Sequence, residues 1–377
     1  MDTMCFAVPC LFGLEGLAAN ELRRLGLEEV QAENGRVLFS GGWDAMAAAN
    51  VNLRTGERVL LRLGRFPADS FEALFQGVLA CPLEQFIPRG GAFPVKGHCL
   101  DSQLHSVPDC QAIVKKAAAR RLGEAYHLGW LPEDGATYQL QFSIMKDVCE
   151  LYLDCSGVPL YKRGYRADAG AAPLRETLAA AMVQLTHYRG RELFLDPFCG
   201  SGTLCIEAAW IARNRAPGLT RRFAAERWDC AGERWFREAR EAARAREFHG
   251  DYTIIGSDNA PAALALARAN AQKAGVEHLV RFERADALTR DYPAAGVLCA
   301  NPPYGERMLE QEQARQLIRG LGRRAAELPG WRMYLISSDE EFERCFGRRA
   351  DKRRKLYNGM LKCNLYMYGE RGIHHGK

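Results

Sequence analysis

The sequence predicts an α/β protein in which a doubly wound sheet domain in the C-terminal half follows an N-terminal module of small α+β layers. Three observations carry this. Short apolar runs ending in an acid or Asn, at 192–196, 252–258, 280–286 and 298–301, alternate with alanine-rich helical patterns, as parallel strands wound with helices do. A glycine-bearing loop directly follows the first of these runs. The first half instead sets strand-like runs among helices and ends in a hairpin pattern, the signature of α+β layers.

Taken in order, residues 4–10, 35–39 and 58–63 read as strands and 14–25 and 43–52 as helices, giving a ferredoxin-like domain over 1–65. A second domain, 66–155, is expected to hold a helix near 70–80, a strand near 92–100, a helix over 109–122 opened by Pro108-Asp109, and strands at 137–144 and 148–154 joined by a turn at 145–147. Residues 1–160 are expected to fold alone. The stretch 156–172, rich in Gly, Ala and charge, reads as a linker. The last domain, 173–377, opens with an amphipathic helix after Pro173, expected to cover one edge of a ligand pocket. Within it, 213–250 is long for a link between first and second strands; carrying Trp228, Trp235, Phe236 and many arginines in a helical pattern, it reads as a helical insert. The late run 361–368 reads as a strand.

The loop Asp196-Pro197-Phe198-Cys199-Gly200-Ser201-Gly202-Thr203 leads into a helix over 204–212. Gly200 and Gly202 permit positive φ and close approach of a ligand, and the helix start offers unpaired amides. A dinucleotide-binding turn uses the same physics, so the glycines leave the ligand open. Asp196 repels a pyrophosphate and attracts a cation, and S-adenosylmethionine carries an ammonium and a sulfonium. No Gly-Lys-Ser/Thr ending follows, which argues against an NTPase. Asp258, followed by Asn259, is placed to accept ribose hydroxyls. Asp286, followed by Ala287, is either an acceptor for an adenine amino group or a helix cap or loop residue.

Asn301-Pro302-Pro303-Tyr304 is suited to an exocyclic amine. The Asn301 side-chain carbonyl and the Pro302 backbone carbonyl are acceptors, the prolines fix φ, and Tyr304 gives a base a face to stack on. Alone, this motif is equally a strand end followed by a Pro-Pro turn.

With Asp196–Thr203 and Asn301-Pro-Pro-Tyr-Gly-Glu306-Arg307, supported by 160–166, 172–179, Ala216-Pro-Gly218 and Tyr357-Asn-Gly359, the chain resembles the THUMP-containing class I, S-adenosylmethionine-dependent RNA guanine-N2-methyltransferases over nearly its whole length. Phe93-Pro-Val-Lys96-Gly-His98 and 109–116 resemble the THUMP pattern, which implies binding of structured RNA. The resemblance implies a Rossmann-like methyltransferase domain, S-adenosylmethionine as cofactor with Asn301 beside it, and N2-methylguanosine as product, in 23S ribosomal RNA ahead of transfer RNA. It also implies Glu306 and Arg307 as loop or nucleotide contacts. Adenine-N6 DNA and glutamine-N5 protein methyltransferases share Asn-Pro-Pro-Tyr and stay open as rivals, as does a non-catalytic RNA-binding protein.

Charge is uneven: −3 over residues 1–170 and +8 over 171–377. Lys96, Lys115, Lys116, Arg120 and Arg121 in the first half, Lys162, Arg163 and Arg166 in the linker, and Arg307, Lys352, Arg353, Arg354 and Lys355 are candidate RNA contacts, the last run adjoining Tyr357. Thirteen cysteines with no Cys-x-x-Cys pair suggest buried thiols in a reducing compartment, without structural zinc or other metal. No apolar run is long enough to span a bilayer and no secretory leader is evident, so the cytoplasm is expected.

Overall fold

The computed structural model describes residues 3–166, 174–303, 308–359 and 361–369. It divides into two compact units: Met1–Cys10, Ala18–Leu160 and Thr220–Ala242 form the first, and Leu11–Leu17, Tyr161–Leu219 and Ala243–Lys377 the second.

Along the first half run β1 (Met4–Pro9), α1 (Glu15–Arg24), β2 (Glu28–Glu33), β3 (Arg36–Gly41), α2 (Trp43–Asn52), β4 (Leu60–Pro67), α3 (Phe71–Ala80), β5 (Val95–Leu100), α4 (Val107–Tyr126), β6 (Leu140–Met145) and β7 (Val148–Asp154). The sequence pattern misses β2: its residues are mostly exposed Glu and Gln on an edge strand, so no apolar alternation marks it. All seven strands form one sheet, in the order β2-β3-β1-β4-β7-β6-β5. The two small layers expected at 1–65 and 66–155 are therefore joined by backbone pairing, β4 running antiparallel to β7 from Leu60 opposite Asp154 to Pro67 opposite Val148.

The expected 213–250 insert also departs from the sequence reading, because most of it belongs to the first unit. Trp228 is 1 % exposed and stacks on Tyr138 with ring centroids 5.0 Å apart and planes at 18°. Its indole N–H donates to the carbonyl of Thr137 at 2.9 Å, and the amides of Ala224 and Ala225 donate to the carbonyls of Ser156 and Cys155. A large apolar ring with one polar atom gains most where both are satisfied, and the residues just before β6 supply both partners.

The second unit holds α5 (Glu176–Leu185), β8 (Phe194–Asp196), α6 (Thr203–Ala212), the end of α7 (Glu233–Ala245), β9 (Ile254–Asp258), α8 (Pro261–Lys273), β10 (Val280–Arg284), β11 (Gly296–Ala300), α9 (Met308–Ala326), β12 (Trp331–Ser337), α10 (Phe342–Phe346), β13 (Lys352–Asn358) and β14 (Leu361–Tyr368). Its sheet order is β10-β9-β8-β11-β12-β14-β13, with β8 to β12 parallel and β14 antiparallel to both neighbours. β11 is buried throughout, as a central strand covered on both faces must be. β13 is the basic run at the sheet edge. Lysines and arginines suit an edge strand, and their density hides it from apolar periodicity.

Candidate active site

After β8 the chain winds outward through β9 and β10, then returns to place β11 on the other side of β8. Ligands of open α/β sheets bind at such a switch point, beyond the carboxyl ends of the strands. The register sets Leu298 of β11 opposite Leu195 of β8, so Asp196 and Asn301 leave adjacent strands at the same edge.

Asp196 is only 1 % exposed, and its Oδ1 accepts from the amide of Phe198 at 3.1 Å. Burial pushes its carboxyl up to about 8, with Asp258 adding repulsion, while the Phe198 amide partly offsets both. Among the described residues no Lys or Arg compensates it. A buried acid without a cation is costly to ionise, so the site fits a ligand that brings positive charge.

The following loop is shaped by its own hydrogen bonds. Cys199 N–H donates to the Ser257 carbonyl at 2.9 Å, Gly202 N–H to the Cys199 carbonyl at 2.7 Å, and Gly200 N–H to Oδ2 of Asp258 at 3.0 Å. Gly200 has φ 49° and open space where a Cβ would stand; Gly202 has φ 80°, and its Cβ would lie 3.1 Å from Ala267 and Phe282. The first opens the loop to a ligand and the second lets it close on α8. Pro197, Cys199 and Thr203 are buried beneath the loop, while Phe198 and Ser201 are half-buried, with Ser201 Oγ 3.1 Å from Thr203 Oγ1.

Oδ1 of Asp258 accepts from Ala260 N–H at 2.9 Å and Asn259 is exposed, so Asp258 stands at the rim with one backbone bond on each oxygen. Each carboxylate oxygen retains capacity for a hydroxyl donor. Asp286 is exposed, and its Oδ1 accepts from Leu288 N–H at 2.7 Å within its own turn, the loop role that competes with an adenine contact. The adjoining Ala287 is buried, its carbonyl held by the Tyr292 hydroxyl at 2.7 Å. Asn301 is half-buried, Pro302 buried and Pro303 exposed. Tyr304, Glu306 and Arg307 lie outside the described residues.

Two supporting residues escape sequence reasoning. Asn270 of α8 donates to the Ser201 carbonyl at 2.9 Å, and its own Oδ1 is a buried acceptor with no partner among the described residues. Arg290 joins Ser257 Oγ at 2.8 Å to Glu283 at 2.8 Å, tying β9 to β10. An Asn inside an alanine-rich helix is the one signal that could have flagged the first.

Several of the expected RNA contacts have partners within the chain, and burial takes Arg163 out of reach of RNA. Arg163 is 2 % exposed, and its Nε lies 3.4 Å from Glu207 Oε1, which also accepts from the Tyr165 hydroxyl at 3.1 Å; it is an internal counter-ion. Arg166 donates to the Leu174 carbonyl at 2.9 Å and pairs with Glu176 at 3.3 Å. Lys115 pairs with Glu133 at 2.6 Å and sits 3.4 Å over the Phe93 ring, Arg120 pairs with Glu124 at 2.8 Å, and Arg121 holds Glu84. Arg354 donates to the Gly13 carbonyl at 3.1 Å. Lys96, Lys116, Lys162, Lys352, Arg353 and Lys355 are exposed, Arg353 beside Glu343 at 3.3 Å.

Comparison with known proteins matches residues 163–367 to the RMKL-like methyltransferase domain, 5–60 to the RlmL ferredoxin-like domain and 68–154 to the THUMP domain. The chain is 42 % identical over 364 residues to "Putative RNA methyltransferase YpsC" of Bacillus subtilis, covering 94 % of this chain and 93 % of that protein. It is 35 % identical to ribosomal RNA large subunit methyltransferase K/L of Syntrophotalea carbinolica over 94 % of this chain, and spans 52 % of that relative's length. Among solved structures, the methyltransferase SMU.472 complexed with SAH is 39 % identical with a TM-score of 0.92, each chain covered to 98 %. A protein of Listeria monocytogenes described as a predicted N6-adenine-specific DNA methylase is 41 % identical with a TM-score of 0.92, covering 98 % of this chain and 96 % of that one.

Proposed function

The chain belongs to the RMKL-like methyltransferase family, and on that premise we propose that it transfers the methyl group of S-adenosylmethionine to the N2 amine of a guanine in structured RNA, with large-subunit ribosomal RNA as substrate. The observation that carries this reading is the pairing at the switch point of Asp196, a buried acid with no compensating cation among the described residues, with Asn301-Pro302, a pair of acceptors just beyond the end of the neighbouring strand.

In this reading Asp196 holds the cofactor's ammonium, the 196–203 loop lies under its methionine portion, and Asp258 accepts its ribose hydroxyls. The bound cofactor supplies an electrophilic methyl group. The Asn301 side-chain carbonyl and the Pro302 carbonyl accept the two amine hydrogens, which turns the nitrogen lone pair toward that methyl. Tyr304 stacks the unpaired base. Alignment of this kind lowers the barrier without a strong base, and the mechanism assigns none. The N-terminal module docks RNA, and the cytoplasm is the proposed compartment.

The test is the product. RNA methylated by the full chain is digested and its nucleosides are identified by mass spectrometry; N2-methylguanosine is expected, and inosine at the target should abolish transfer because it lacks the amine. N6-methyladenosine, or robust labelling of inosine RNA, would overturn the assignment in favour of adenine. Mapping the lost methylation in ribosomal and transfer RNA from a deletion strain decides between those substrates.

A further inference from the structure

Residues Leu11–Leu17, though early in the chain, belong to the second unit. Leu14 is fully buried in the same core as Leu356 of β13, with Leu11 and Leu17 packed against it. Gly13 is fixed between them: its N–H donates to Glu15 at 2.9 Å, its carbonyl accepts from Arg354, and at φ 86° a Cβ there would lie 2.8 Å from the Lys355 carbonyl. This anchoring holds Phe12 at the sheet edge, 59 % exposed, with its ring 6.3 Å from that of Tyr357 at an interplanar angle of 63°. The Lys355 ammonium lies 5.5 Å from the centre of the Tyr357 ring.

Along β13, Arg353, Lys355 and Tyr357 alternate onto the face opposite the buried Leu356, with Lys362 opposite Tyr357 on β14. From 352 to 369 the sequence holds Lys352, Arg353, Arg354, Lys355 and Lys362 and no acid, five positive charges against a net charge of +5 for the whole chain. An exposed Phe beside a half-buried Tyr on a strand rich in lysine and arginine offers ring faces within an excess of positive charge, and that combination favours a polyanion that also carries aromatic bases. Single-stranded RNA meets both conditions, offering a base face to each ring and phosphates to the lysines, whereas a polyanion without bases leaves the rings unused.

Resting on the RNA reading above, we infer that Phe12 and Tyr357, with Lys355 and Lys362, form a base-stacking subsite for an unpaired stretch of the RNA substrate, separate from the residues that hold the cofactor and the target amine. The backbone beside Phe12 is anchored through Gly13 and Leu14, so little backbone freedom is lost when a base stacks on its ring.

The test uses the full-length protein and a single-stranded 12-nucleotide RNA, measured by fluorescence anisotropy over a salt series. Phe12→Ala should weaken binding about 5- to 150-fold with the salt slope unchanged, Phe12→Trp should restore it, and Lys355→Gln should flatten the slope by about 0.7. Phe12 is exposed, so its replacement should leave folding and S-adenosylmethionine affinity as in the parent. Wild-type affinity in Phe12→Ala, or equal affinity for an abasic ribose-phosphate oligomer of the same charge, would overturn the subsite. In both cases RNA methylation by the parent protein would leave the enzyme assignment standing. Loss of methyl transfer to every RNA, with the oligonucleotide still bound through Phe12, would instead remove the enzymatic reading and keep the subsite.

Discussion

The Gly200 amide donates to Oδ2 of Asp258 at 3.0 Å, so the acid at the end of the second strand holds the loop that leaves the first. Asp258 therefore preorganises the glycine loop, and in the proposed function it also presents its remaining lone pairs to a diol.

Replacing it separates a local function from the fold. Asp258→Ala should weaken S-adenosylmethionine binding by about 1.5–3 kcal/mol, since a charge-assisted contact and a loop anchor vanish together. Calorimetric titration alongside thermal melting checks this; unchanged affinity in a folded variant would remove Asp258 from the site.

Cofactor affinity should depend on pH through Asp196. Its carboxyl is pushed up to about 8 by burial and then by Asp258, so near neutrality the free protein holds a proton that a bound cation must displace. Affinity should accordingly fall as pH falls below about 8, approaching tenfold per unit. Titration at pH 7 in buffers of different ionisation enthalpy should show nearly one proton released. Asp196→Asn should flatten the profile, and a wild-type profile that is already flat would contradict the assignment.

The clamp behind the loop offers a test that touches no proposed ligand contact. Asn270→Ala removes the donor to the Ser201 carbonyl and should cost about 1–3 kcal/mol, expressed as weaker cofactor binding with RNA affinity unchanged. Equal loss of both affinities would point to general unfolding.

Asn301→Ala should lower kcat far more than it changes the cofactor Kd, because its proposed contact is to the acceptor amine. Single-turnover transfer measured with saturating cofactor and RNA reads that split. A matched loss of cofactor affinity would move Asn301 to the cofactor side.

Residues 220–242 should prove part of the first unit's core. Trp228→Ala removes a fully enclosed ring and should destabilise that unit by about 3–5 kcal/mol. Faster hydrogen exchange in β6 and β7 would show it, whereas an unchanged profile would make the segment peripheral. For the same reason residues 1–160 alone, which lack this cover over Tyr138, should be markedly less stable than the sequence suggests.

The sequence by itself determined which residues close the strands at the switch point, those proposed to meet the cofactor and the amine, because each is tied to a local signal. Asp196, Asp258 and Asn301 end apolar runs, and Gly200 and Gly202 sit where only a turn fits. Strand ends in a doubly wound sheet converge, so naming the runs was enough to bring these residues together. The fate of the charges was decided by the tertiary structure. Arg163 and Lys162 are neighbours in sequence, yet Glu207, 44 positions away, buries the first while the second stays in water. The same holds for Trp228 finding Tyr138, for Asn270 reaching Ser201 and for the segment around Leu14 joining the second unit. Backbone periodicity is read over a few residues, but whether a polar or aromatic side chain faces solvent depends on a partner that only the folded chain brings within hydrogen-bonding or van der Waals range.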